Sequence, residues 1–198
     1  MKYNWLIGIL LLLWSCSPSV ENTDAPAPVQ PAPEREPYTE DRLPDVKPHG
    51  GWIVCGGSWT AGQGADLGTG YADQLGERVV NAGISREPLP GLLQRLPLLL
   101  ERGPEGLILE IGHDDEALEA PLEAFREHLN SLGQLLSAHP GLQLLIVVSA
   151  TDPAYRQAVT AFAERQGAPT LNSDHFFHPP SSQSHLALAR QIREMLYE

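Results

Sequence analysis

The sequence predicts one α/β domain in which helices cover a parallel sheet on both faces. Three observations carry that expectation. Five short apolar runs are each too brief for a helix, and several are almost wholly apolar, as strands buried on both faces should be. Amphipathic stretches of helical period lie between most of them. Polar or glycine-rich turns follow the runs, and no internal repeat is visible.

The strand runs are Trp52–Cys55, Arg78–Asn81, Gly106–Ile111, Leu142–Ser149 and Pro169–Leu171. A first helix is predicted from Leu89, Leu92, Leu93, Leu96 and Leu100, with Pro97 expected to kink it. A second, opened by Pro121 in its first turn, carries Leu118, Leu122, Phe125, Leu129, Leu132 and Leu136 on one face. A third begins after Asp152-Pro153 and buries Val159, Phe162 and Ala163. The last presents Leu186, Ala189, Ile192 and Leu196. Strand then helix throughout means parallel neighbours joined by crossovers.

Ahead of this domain, residues 1–15 have the pattern of a secretory signal: Lys2, an apolar stretch from Trp5 to Trp14, then Ser15. That stretch is shorter than the roughly 20 residues a membrane span needs. Leu13-Trp14-Ser15-Cys16 resembles a bacterial lipobox, so Cys16 is expected to carry lipid and anchor the chain to a membrane of the cell envelope. Ser17 rather than aspartate follows it, which points to the outer membrane or the periplasmic face. The Cys16-to-Pro48 stretch, with Ala25-Pro26-Ala27-Pro28 and Pro31-Ala32-Pro33, reads as an extended, solvated spacer. The domain itself spans 49–198.

The formal net charge of −12 argues against nucleic acid as a partner and against charge-driven binding to anionic lipid. With Cys16 lipidated, the only other cysteine, Cys55, has no partner in the chain and reads as a small buried hydrophobe.

Four turns carry the chemistry: Gly56-Gly57-Ser58, Asn81-Ala82-Gly83-Ile84-Ser85, Gly112-His113-Asp114-Asp115, and Asp174-His175-Phe176-Phe177-His178-Pro179 before the last helix. All fall where strands end, the edge at which open α/β sheets build sites. A serine there is a nucleophile if a histidine reaches it. These blocks, in this order and spacing, resemble the SGNH (GDSL-type) hydrolases, and within them the small periplasmic arylesterase, acyl-thioesterase and lysophospholipase group. The resemblance covers nearly all of residues 51–198 and is clearest from Val79 to Leu118.

The resemblance implies a flavodoxin-like three-layer α/β/α sandwich with a five-stranded parallel sheet. It implies Ser58 as nucleophile, His178 as base and Asp174 as the group that orients the histidine. It also implies an oxyanion hole from the Ser58 N–H, the Gly83 N–H and the side chain at position 114. The substrate would be a small ester or acyl compound, with no cofactor and no metal.

Several positions depart from the family's pattern. Gly57 stands where the family has aspartate, Asp114 where it has the oxyanion asparagine, and Arg86 where the second block has glycine. His175 holds the place three residues before the histidine, with Asp174 one further back. An ionised Asp114 has no proton to donate, and losing one oxyanion donor costs about 2.7–4 kcal/mol; a protonated Asp114, crowded by Asp115, would donate.

A metal reading of His113, Asp114, His175 and His178 lacks any ligand spacing to support it. His128, His139 and His185 read as surface residues, and Trp59 as either a wall of the substrate site or a packed loop residue. Two functions follow: a membrane-tethered serine esterase, or an SGNH scaffold kept as an envelope binding module with a disabled hole.

Overall fold

A computed structural model of the chain describes residues 51–177 and 179–197. Cys16, the signal and the linker therefore lie outside the described residues, as does His178. The described residues form a five-stranded, all-parallel sheet of order β2-β1-β3-β4-β5. The strands are β1 (Trp52–Gly56), β2 (Val79–Gly83), β3 (Gly106–Ile111), β4 (Gln143–Val148) and β5 (Thr170–Asn172). Five helices flank them: α1 (Leu89–Leu100), α2 (His113–Ala117), α3 (Leu122–Ser137), α4 (Pro153–Gln166) and α5 (Ser182–Tyr197).

Strand alternation divides the core in two. Ile53, Cys55, Leu107, Leu109, Ile146 and Val148 point to one face. There they meet Leu92, Leu96 and Leu99 of α1, Phe125, Leu129, Leu132 and Leu136 of α3, and Val159 and Phe162 of α4. Val54, Ile108, Leu145 and Val147 point to the other face, against Leu188, Ala189 and Ile192 of α5 together with Trp59, Tyr71, Leu75 and Phe177. At about 1.5–3 kcal/mol for each large apolar side chain buried, these two clusters supply the main drive to fold.

Three details differ from the expectation. The β1–β2 connection has no α-helix; it runs through turns and a short 3-10 turn at Ala72–Gln74. The third block begins a helix of its own, α2, so Leu118 closes that helix, 41% exposed, and α3 starts only after Pro121. On α5 the buried face is His185, Leu188, Ala189 and Ile192, with Leu186 only half-buried. Asp152 caps α4, its carboxylate accepting from the Ala154 N–H at 2.7 Å.

The chain leaves β1 toward β2 on one side and reaches β3 on the other, so the sheet order reverses direction beside β1. Loops leaving β1 and β3 diverge at such a switch point, which is where open α/β sheets make room for a ligand. Ser58 leaves β1 there, and Asp114 leaves β3.

Candidate active site

The loop that carries Ser58 is held from below by Glu110. This residue is the one charge in an otherwise apolar strand, and strand alternation aims it at the β1 loop. Its Oε2 accepts from the Gly57 N–H at 2.9 Å, the Thr60 N–H at 3.4 Å and the Thr60 hydroxyl at 3.1 Å. Its Oε1 accepts from the Ser149 hydroxyl at 2.5 Å, and Ser149 Oγ in turn accepts from the His113 N–H at 3.0 Å. Donors on both sides of Ser58 thus converge on one buried carboxyl. Burial pushes its pKa up to about 7, partly offset by the Ser149 hydrogen bond, with the Asp114 charge adding to the rise.

Ser58 is itself only 1% exposed. Its N–H donates to Asp114 Oδ2 at 2.7 Å, its hydroxyl donates to Asp114 Oδ1 at 2.7 Å, and its Oγ accepts from the Arg86 N–H at 3.0 Å. Asp114 reaches it from the first turn of α2, because Gly112 turns the chain sharply at φ 116°, a conformation that favours glycine. Arg86 also has a positive φ, 60°, in the left-handed region where the family's glycine would be unstrained.

The oxyanion donor expected from Gly83 is a correction. The Gly83 N–H donates to the Asn81 side-chain oxygen at 2.9 Å, and Gly83 packs against Thr60 and Ala61. The second-block N–H that reaches Ser58 belongs to Arg86. The cause is the chain path: β2 ends at Gly83, and the turn through Ile84 and Ser85 carries the next N–H back over the β1 loop.

Two further carboxylates support this arrangement. Asp115 accepts from the Leu89 N–H at 3.0 and 3.1 Å, capping α1, whose own preceding residue is Pro88. Burial raises Asp115 to about 7, countered by that backbone hydrogen bond and reinforced by the Asp114 charge. Glu87, one residue beyond Arg86, pairs with Arg95 of α1 through contacts of 2.6 to 3.0 Å in full burial.

The aromatic residues are packing elements. Trp59 is 5% exposed, stacked on Phe177 at 4.4 Å and tilted against His113 at 4.3 Å, so it reads as a packed loop residue. His185 is fully buried rather than at the surface; its Nδ1 accepts from the Tyr71 N–H at 3.1 Å. Nε2 therefore carries the proton and donates to the Gln63 carbonyl at 2.9 Å, and burial lowers the imidazole pKa. His128 is half-buried and His139 exposed.

Asp174 lies in a 3-10 turn (Asp174–Phe176) and pairs with Arg156 at 2.9 Å; His175, beside it, is mainly exposed. Cys55 is buried in β1, where desolvation pushes its thiol up to about 12, as an inert core residue would be. Among the described residues no three His, Cys, Asp or Glu side chains could hold a metal ion. Ser58, Asp114 and the Arg86 backbone are therefore brought together; Gly83 is not.

Sequence reasoning missed Glu110, the Asp115 cap and the His185–Tyr71 bond. A charge inside the apolar run Gly106–Ile111 was the available signal for Glu110. The other two depend on residues 26 and 114 positions apart, which no local pattern marks.

These contacts place a buried serine at the switch point of a five-stranded parallel sheet. The model of the GDSL-like lipase/acylhydrolase family matches residues 54–192, and the chain belongs to that family. No curated protein matches it. Solved structures share the fold at low identity. A putative lipolytic protein of the G-D-S-L family from Desulfitobacterium hafniense is 17% identical over 73% of this chain and 99% of its own, with a TM-score of 0.64. A member of the same family from Veillonella parvula is 14% identical over 75% and 98%, with a TM-score of 0.62. The psychrotrophic esterase EstA from Pseudoalteromonas is 20% identical over 72% and 94%, with a TM-score of 0.57.

Proposed function

We propose that the chain is a membrane-tethered serine hydrolase of the bacterial cell envelope, cleaving a carboxylic ester or thioester through Ser58 and His178. The observation that carries this reading is Ser58 itself. Its Oγ sits at the switch point of the sheet, and the Arg86 N–H donates to it at 3.0 Å. That N–H and the Ser58 N–H are the donors a tetrahedral oxyanion would use. His178, in the His-Pro step ahead of α5, is the base of this reading, with Asp174 or a backbone carbonyl to orient it. Lipid on Cys16 would hold the domain at the membrane, with the proline-rich linker as spacer.

A second reading is a binding module on the same scaffold. The observation favouring it is that Asp114 Oδ2 already takes the Ser58 N–H at 2.7 Å, where an oxyanion would bind. Intact mass of the full chain after exposure to a fluorophosphonate separates the two. One adduct that disappears in Ser58→Ala supports the hydrolase, and esters and thioesters can then be screened as substrates. No adduct from folded protein supports the binding module.

A further inference from the structure

The two departures in the first and third blocks meet in space. A Cβ placed on Gly57 would overlap Asp114 Oδ2 and crowd its Cγ. The carboxyl group that the first block lacks at position 57 is delivered instead from α2, into the volume that glycine leaves open. Gly57 and Asp114 are thus one exchange rather than two losses.

The direction of the hydrogen bonds then matters. A carboxylate only accepts, so the Ser58 hydroxyl proton points at Asp114 Oδ1, 2.7 Å away. The Arg86 N–H donates to the same Oγ from another side. With its proton so committed, Ser58 has a proton acceptor already in hydrogen-bond reach.

We propose that Asp114 is a catalytic residue of this chain: its carboxylate, seated in the space left by Gly57, accepts the Ser58 hydroxyl proton during acylation. The Oγ–H bond breaks as Oγ bonds to the carbonyl carbon; the proton passes to Asp114 Oδ1 and the carbonyl electron pair moves onto oxygen. Asp114, now a carboxylic acid, turns from acceptor to donor and can hydrogen-bond that oxyanion, the part an asparagine amide plays in the family. On collapse the bond to the leaving oxygen or sulfur breaks. The leaving group takes the proton from Asp114, which restores the carboxylate and leaves acyl-Ser58. His178 is then the base for the water of the second step. The inference rests on the serine-hydrolase reading and changes only the group that takes the first proton.

The test is the rate of fluorophosphonate adduct formation on the full chain as a function of probe concentration, for wild type, Asp114→Asn and Gly57→Ala, with thermal melting alongside. Asparagine keeps the shape and an acceptor oxygen but cannot take a proton. The maximal rate in Asp114→Asn should fall about a hundred- to ten-thousand-fold, with half-saturation by the probe unchanged. Gly57→Ala should also slow labelling although Asp114 is intact, because the new methyl displaces its carboxyl. Labelling of Asp114→Asn as fast as wild type, or faster, would overturn the proposal and mark Asp114 as an obstruction. So would wild-type labelling in a folded Gly57→Ala. An adduct in none of the three proteins would instead remove the serine-hydrolase reading itself.

Discussion

Glu110 accepts a hydrogen bond from the Gly57 N–H at 2.9 Å, tying the central strand to the loop that carries Ser58. The same carboxyl takes Thr60 and Ser149, so it fixes the loop on both sides of Ser58. Glu110→Ala would leave these buried donors without an acceptor, at about 1–3 kcal/mol for each group left unsatisfied. Glu110→Gln keeps one carbonyl oxygen and should fall between the alanine variant and wild type. Urea denaturation and the rate of Ser58 labelling should drop in the same order.

Stability should decline as pH rises toward neutrality. Glu110 has a folded pKa of about 7 against an ordinary 4.5, and Asp115 about 7 against 3.8. Between those values the folded chain binds more protons than the unfolded one. Their contribution is therefore complete below the unfolded pKa and lost as pH passes through about 7. The Glu110 shift taken alone corresponds to roughly 3 kcal/mol. His185 acts in the opposite sense: its lowered pKa withdraws stability as pH falls below its ordinary 6.5. Thermal melting across pH 4 to 8 should show the decline in wild type and a smaller one in Glu110→Gln and Asp115→Asn.

The Arg95–Glu87 pair is closed off from water, with neither side chain more than 1% exposed. Arg95→Met would strand the Glu87 charge at a cost of about 3–5 kcal/mol, whereas Arg95→Met with Glu87→Leu should recover most of that loss. Because Glu87 adjoins Arg86, the single variant should also slow labelling of Ser58. Chemical denaturation of the three proteins, together with their labelling rates, checks both expectations.

Gly112→Ala should harm both fold and site. Its φ of 116° is strained for alanine, and a Cβ there would stand 2.8 Å from the Ala150 Cβ. A cost of about 1–3 kcal/mol is expected from the backbone alone. The turn also aims α2, so Asp114 should shift off Ser58. A lower melting temperature accompanied by a changed labelling rate is the expected pair of observations.

The strands and the four long helices were legible because burial writes a period into local sequence. Phe125, Leu129, Leu132 and Leu136 fall on one face of α3 by spacing alone. The position of Ser58 was legible too, since glycines after an apolar run mark a strand end at the active edge of a sheet. Other residues were not. His185 sits in an otherwise polar stretch, Ser181–His185, and only the fold shows that it faces Tyr71 and Gln63. Trp59 could be a ligand wall or packing until Phe177 is seen stacked on it.

The sequence by itself determined the family, the parallel α/β sandwich and the serine at its edge, because hydrophobic period, the succession of runs along the chain and turn glycines are all written in local sequence. Tertiary structure alone decided what surrounds that serine. Which backbone N–H reaches it, Arg86 rather than Gly83, depends on where a turn returns over the sheet. That Gly57 and Asp114 answer one another depends on the Asp114 carboxyl filling the volume that a Cβ at Gly57, 57 residues away (114 less 57), would need. Contacts of that kind are set by packing across strands, and no window of sequence contains them.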